Sequence, residues 1–408
     1  MSERYLLTNV RLEQGFIRRQ GVVQGTECAE FTLDIIDGRI NALYAGTQRL
    51  PGVAAQDGRG YLMLPVTRDE HIHLDKTFYG GPWRAARENG AQDIFEMIAL
   101  EQEILPELLP TSVQRTHALL QLLQQQGTTY VRSHCNIEPV SGLQSLRHLL
   151  EALEPWREQL QCEIVAFPQH GLLRSGSLSL MRKALAMGCE WVGGLDPSKV
   201  DGDMVRSLEA TLELAVEAGK GIDYHLHEDK STGIACIRYL LDALEQEPVL
   251  RGKLTLSHAY CLAQIDREEL SELAGRMAAL GVSLATCLPI GKDVMPLPFL
   301  RERGVRLLSG TDSVIDHWSP FGSASMLEKA HDWARLYTRG TEFELSRALA
   351  IATGNCLPLA DSGERVWPKL NDEASFILLN AACSAQVVAR LPAVEAVYFR
   401  GKRVWIRE

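Results

Sequence analysis

The chain has 408 residues, 46% hydrophobic and 23% charged, an ordinary globular composition long enough for one large domain with an appendage, or for two. Its formal net charge of −10 argues against a nucleic-acid or anionic-membrane partner, and no apolar run reaches the roughly 18 residues of a membrane span. Met1-Ser-Glu-Arg-Tyr5 lacks the apolar core of a leader, and nine scattered cysteines without a Cys-x-x-Cys read as reduced, mostly buried thiols of a cytoplasmic protein.

Residues 1–62 read as β structure. Tyr5–Leu12 and Phe31–Ile36 are β-rich runs, and Asp37-Gly38 is a hairpin signal before Arg39–Leu43. The same texture returns near the far end in Ala374–Leu379, Val394–Phe399 and Val404–Ile406. Residues 1–62 and 363–408 are therefore expected to build one composite β-sandwich domain. Between them, residues 63–362 alternate. Candidate strands fall at Leu62–Val66, Thr128–Ser133, Glu163–Phe167, Trp191–Leu195, Gly221–His225, Lys253–Ser257, Val282–Cys287 and Val305–Ser309. Amphipathic stretches such as Val113–Gln126 and Met204–Ala218 lie between them. Glycines 127, 188, 219, 281 and 304 stand where helices would stop. Eight β-then-α units in about 300 residues fit a (β/α)8 TIM barrel. A doubly wound sheet would alternate too, but the Gly-x-Gly-x-x-Gly and Walker loops that such a sheet often carries are absent.

A barrel gathers its chemistry where its strands end. His71 and His73, two residues apart, share one face of an extended chain. His134, His170, His225, His227 and His258 also fall at strand ends, which makes seven of the chain's eleven histidines. His117, His148 and His331 lie in helical stretches and read as packing or surface residues. A mononuclear hydrolytic centre needs three or four N/O ligands and an open position for water. His71, His73, His225 and Asp312 supply that set. Glu228, three residues past His225, and His258, on the neighbouring strand, are the candidates for handling protons. Asp75 and Lys76 read equally as substrate contacts or as a loop ion pair. His134, His170 and His227 read equally as ligand-supporting or substrate-facing groups.

These motifs taken together resemble the amidohydrolase superfamily, cytosine-deaminase-like branch. The matching stretches are Glu70–Asp75, Ile164–Gln169, His225–Glu228, Ser257-His258 and Gly310–Gly322. Asp75–Phe78, Val192–Pro197, Ile222–His227 and Ser257–Cys261 are also similar to N-isopropylammelide amidohydrolases, which remove an alkylamine from a triazine ring. The resemblance implies that His71, His73, His225 and Asp312 bind one divalent metal ion, Zn2+ or Fe2+. It makes Glu228 the proton shuttle and has His258 polarise the water or the developing oxyanion. Gln169 would then hydrogen-bond the ring amide edge, with Phe167 and Trp318 lining the pocket. Lys199 lies four residues past the fourth candidate strand, so no lysine stands where a second metal would need one.

The sequence departs from the cytosine deaminases in three places. Ser313 replaces an aspartate beside the metal aspartate, leaving room for a 5-substituted pyrimidine or another ring. His227 replaces another aspartate, and Asp316-His317-Trp318 replaces Asp-Pro-Trp. Glu228, in turn, departs from the triazine enzymes, which carry aspartate there. The resemblance thus implies a metal-dependent deaminase of a small nitrogen heterocycle that releases ammonia and works as a homo-oligomer. The alternatives are release of an alkylamine from a triazine, and a non-catalytic binding protein on the same scaffold.

Overall fold

Alternating apolar and polar residues give the first strands a buried face, and the turn residues fix how they pair. β1 (Arg4–Arg19) and β2 (Val22–Ile36) are antiparallel, and β2 returns through Asp37-Gly38 into β3 (Arg39–Ala45). Asp37 (φ 48°) and Gly38 (φ 77°) both take the left-handed backbone that such a two-residue turn requires. A Cβ on Gly38 would also sit 2.6 Å from the Arg400 carbonyl oxygen, so this turn packs directly on the C-terminal hairpin. The computed structural model describes residues 3–86, 93–291 and 293–408; Met1 and Ser2, part of the stretch read for a leader, lie outside the described residues.

Two eight-stranded sheets carry the chain. The first is built from both termini. It takes in β1 to β3, β4 (Ala54–Asp57), β5 (Leu62–Pro65), β14 (Phe376–Leu379), β15 (Val394–Phe399) and β16 (Lys402–Ile406), in the order β16-β15-β14-β5-β1-β2-β3, with β4 beside β1. Its own core includes Leu33, Ile35, Ile40, Phe376 and Tyr398. The second sheet is a (β/α)8 barrel of parallel strands: β6 (Thr67–Ile72), β7 (Thr128–Asn136), β8 (Gln161–Phe167), β9 (Trp191–Leu195), β10 (Gly221–Leu226), β11 (Leu254–His258), β12 (Ser283–Thr286) and β13 (Arg306–Ser309).

One strand assignment needs correction. Leu62–Val66 was expected to open the barrel, but Leu62–Pro65 belongs to the terminal sheet, where it pairs antiparallel with Phe376–Leu379. The first barrel strand is the next segment, Thr67–Ile72, and it pairs with β7. An apolar run does not reveal which sheet it joins. The polar Thr67-Arg-Asp-Glu70 lacks the apolar signal of a strand, and part of what satisfies it lies far away in sequence. Asp69 accepts from the backbone N–H and hydroxyl of Thr311 (3.0 and 2.6 Å), and Glu70 pairs with Arg68 (3.2 Å).

The helices follow their patterns more closely. Val113–Gln126 was expected and Ser112–Gln125 forms; Met204–Ala218 forms as expected and ends at Gly219 (φ 66°). The chain after β6 also carries a helix, Ile94–Leu108, started by a capping box between Asp93 and Glu96. Among the described residues, no helix is long and apolar enough to cross a membrane, and all nine cysteines are free.

Candidate metal and active site

The barrel seam and the candidate site coincide. β13 and β6 stand at the two ends of the sheet order and meet through an isolated bridge between Ile72 and Asp312. The Asp312 N–H donates to the His71 carbonyl (2.8 Å), and the His73 N–H donates to the Asp312 carbonyl (3.0 Å). Closing the barrel therefore presses the Asp312 carboxylate between two imidazoles. Its Oδ1 lies 3.4 Å from His71 Nε2 and 3.5 Å from His73 Nε2. Gly310 makes this approach possible, since a Cβ there would lie 2.2 Å from the His71 carbonyl oxygen. Asp312 (φ 64°) and His258 (φ 72°) both hold the strained left-handed backbone that clusters at functional sites.

The remaining imidazoles arrive from β7, β10 and β11. The His71 ring lies 4.7 Å from that of His225, 4.9 Å from His258 and 4.1 Å from His134, centre to centre. Side-chain donor atoms of His71, His225 and His258 lie within 4.8 Å of one another, as do those of His71, His73 and Asp312. All five histidines are buried. Burial holds His134, His225 and His258 well below the usual imidazole range, and burial with the nearby Lys76 charge lowers His73 to about 4. Rings kept neutral in this way are the form that donates to a cation. Among the described residues, His71 Nε2, His258 Nε2 and both ring nitrogens of His225 are buried without a hydrogen-bond partner. The donor set fits a divalent ion of the N/O-binding type.

The tautomer of His71 is fixed from behind. Its Nδ1 lies 3.0 Å from Ser257 Oγ, which donates to Asp223 Oδ1 at 2.6 Å; Asp223 also accepts from Arg132 Nη1 at 3.1 Å. Because the hydroxyl proton goes to Asp223, Ser257 accepts from the Nδ1–H. The lone pair of His71 is then on Nε2, facing the other donors. Arg132 and Asp223 were not singled out in the sequence; charged residues inside strands that read as apolar were their only signal.

Glu228 is buried at the end of β10. Its Oε1 accepts from the backbone N–H groups of Ser198 and Lys199 (2.7 and 2.9 Å), while Oε2 is buried with no hydrogen-bond partner among the described residues. Lys199 thus serves Glu228 through its backbone. His227 pairs with Asp196 (3.0 Å) and stacks on His258 with ring centres 4.5 Å apart. Cys287, also missed in the sequence, has its thiol within 4.8 Å of donor atoms on His258 and Asp312.

Phe167 stacks on His225 (4.1 Å, 22°). Gln169 accepts from Lys76 Nζ at 2.6 Å, and Lys76 also pairs with Glu101 at 3.2 Å. The Lys76 partner is therefore Glu101, a residue the sequence reading passed over, and not Asp75, whose carboxylate accepts from the Asn136 N–H. Glu101 also meets His317 Nε2 (2.7 Å), His170 Nε2 (3.2 Å) and the Asn136 amide. Burial opposes its charge, but Lys76, His317 and His170 hold it well below the usual carboxylate range. A carboxylate at the 97, 98, 101, 104, 105 spacing of the buried helix face was a readable signal. Trp318 packs at the edge of the cluster of Phe78, Met97 and Leu100, and half-buried Ser313 follows Asp312.

Comparison with known proteins adds to this geometry. The model described as Amidohydrolase family matches residues 110–405. The chain belongs to the amidohydrolase family. Members of this family are hydrolases that act on C–N bonds, and metal dependence is general among them. This amidohydrolase is 50% identical over 402 residues to YahJ of Escherichia coli (strain K12), covering 98% of this chain and 87% of that one. The crystal structure of N-isopropylammelide isopropylaminohydrolase from Burkholderia multivorans superimposes with a TM-score of 0.86 at 30% identity, covering 98% of each chain. That of 5-methylcytosine deaminase from Klebsiella pneumoniae liganded with 5-fluorocytosine gives 0.77 at 25% identity, covering 99% of this chain and 98% of that one.

Proposed function

We propose that this amidohydrolase is a metal-dependent aminohydrolase that replaces an amino group on an sp2 carbon of a small nitrogen heterocycle with oxygen, releasing ammonia. The observation that carries the reading is the cluster of His71, His73, His225, His258 and Asp312, with Glu228 three residues past His225 keeping one buried carboxylate oxygen unpaired among the described residues. In this scheme His71, His73, His225 and Asp312 hold one divalent ion, Zn2+ or Fe2+. The ion supplies a Lewis acid that brings the pKa of water toward neutrality.

The chain's own residues do the rest. Asp312 and His258 orient the attacking water. Glu228 takes its proton and passes it to a ring nitrogen, which makes the amine-bearing carbon more electrophilic. A C–O bond forms as the carbon becomes tetrahedral. Glu228 then relays a proton to the nitrogen that leaves, the C–N bond breaks, and the ring keeps the oxygen as a lactam carbonyl. One water is consumed and one amine released. Phe167 and Trp318 hold the flat ring, Gln169 contacts its edge, and Ser313 leaves space beside it. Nine free thiols suit a reducing cytoplasm.

A second reading, release of an alkylamine from a triazine, is favoured by the similarity to the ammelide hydrolase, at 30% identity and a TM-score of 0.86. The test is a panel of aminopyrimidines, aminotriazines and N-alkylaminotriazines, assayed for ammonia and for alkylamine with protein of measured metal content. Ammonia release supports the first reading, and alkylamine release alone supports the second. No release from metal-loaded protein across the panel would overturn both and leave a non-catalytic barrel.

A further inference from the structure

We infer that Lys76, anchored by Glu101, sets the orientation of the Gln169 amide so that the pocket presents N–H donors, and that this selects rings carrying a carbonyl oxygen over rings carrying an amino group at that edge. The inference rests on the reading that Gln169 faces the substrate ring, and it makes Lys76 and Glu101 positioning residues.

The orientation follows from donor and acceptor counting. The Lys76 side chain has no solvent exposure, and its Nζ lies 2.6 Å from the Gln169 side chain. An ammonium carries only donors, so the amide atom facing it is the oxygen. That settles which way the amide points on chemical grounds. Lys76 cannot turn away without leaving the buried Glu101 carboxylate short of a cation, which is costly. Glu101 is itself pinned from three further segments, by Asn136, His170 and His317.

With its oxygen turned to Lys76, the Gln169 amide points its N–H groups the other way, and its Nε2 makes no hydrogen bond to any described residue. The placement is beside the candidate metal cluster. Gln169 lies two residues beyond Phe167, whose ring stacks on His225. Lys76 Nζ is 6.0 Å from the Phe167 ring centre and 5.9 Å from that of Trp318. An oxo-substituted aminoheterocycle completes this donor edge. A diamino ring sets donor against donor and leaves both desolvated, a penalty that corresponds to about 10- to 100-fold in affinity or kcat/KM.

The experiment compares cytosine with 2,4-diaminopyrimidine, and ammelide with melamine, as ligands of the metal-loaded protein by calorimetry and as substrates by amine release. The expected result is a preference for the oxo member of at least one pair by about 10-fold or more. Lys76→Met frees the amide to flip and is expected to bring that ratio close to one. Should that variant not fold, Gln169→Glu, which keeps Lys76 paired and presents only acceptors, is expected to reverse the preference. A purely structural role would weaken both members of a pair together and leave the ratio unchanged. Equal or tighter binding of the amino members by the unmodified protein overturns the inference, as does an unchanged ratio in a folded Lys76→Met or Gln169→Glu variant. Selective binding of the oxo rings without release of amine supports this selection and overturns the proposed reaction instead.

Discussion

Ser257→Ala tests whether the imidazole cluster is a metal centre, because Ser257 reaches that cluster through a hydrogen bond to His71. The hydroxyl sits 3.0 Å from His71 Nδ1 and donates to Asp223 Oδ1 at 2.6 Å. Removing it leaves a buried Nδ1–H without a partner, since His71 is only 1% exposed. A buried donor stripped of its partner costs about 1–3 kcal/mol, and loss of a group that orients a ligating histidine weakens metal binding about 10- to 100-fold, or roughly 1.4–2.8 kcal/mol. The two scales agree, so the variant is expected to bind its metal about 10- to 100-fold more weakly. Asp223 keeps its contact with Arg132 at 3.1 Å, so the barrel interior stays paired and the protein stays folded. The assay is a competition titration of the divalent ion against a chelator, with elemental analysis of the dialysed protein. Ser257→Thr, which retains the hydroxyl, serves as control. An affinity equal to that of the unmodified protein would refute the assignment of His71 Nε2 as a ligand atom.

Four further outcomes are expected. Glu228→Gln keeps the backbone contacts to Ser198 and Lys199 in part but cannot shuttle protons, so kcat falls by about 10²–10⁴ with metal content unchanged, as steady-state kinetics and elemental analysis will show. Chelation abolishes activity and lowers Tm, and re-added ion at 100 times its Kd restores about 2.7 kcal/mol of stability, measured by thermal melts. Gly310→Ala drives a Cβ into the His71 backbone at 2.2 Å, opening the seam that holds His71, His73 and Asp312; it destabilises the fold by roughly 1–3 kcal/mol in urea titrations and weakens metal binding. Last, burial disfavours charge on His170, but hydrogen bonds to Glu101 and Glu138 outweigh it and raise its pKa to about 9 from 6.5. The folded state then holds this proton more tightly than the unfolded chain. The contribution is full below pH 6.5 and is lost as the pH rises through about 9. Urea midpoints from pH 6 to 9.5 should fall more steeply for the unmodified protein than for His170→Gln; parallel curves would remove His170 from the account.

Periodicity, glycine stops and strand-end histidines are local properties, and they carried the architecture. The sequence by itself determined the eight alternating units, the β-rich ends, and His71, His73, His225, His258, Glu228 and Asp312 as the polar residues at strand ends. Each of these depends on spacings of a few residues. What the tertiary structure decided is pairing between distant segments. It moved Leu62–Pro65 into the terminal sheet, because only the partner strand Phe376–Leu379 reveals which sheet an apolar run joins. It matched Lys76 with Glu101, 25 residues away, and His71 with Ser257, 186 residues away. A buried charge or imidazole is acceptable only where its partners arrive, and those partners are brought by barrel closure, which no local pattern records.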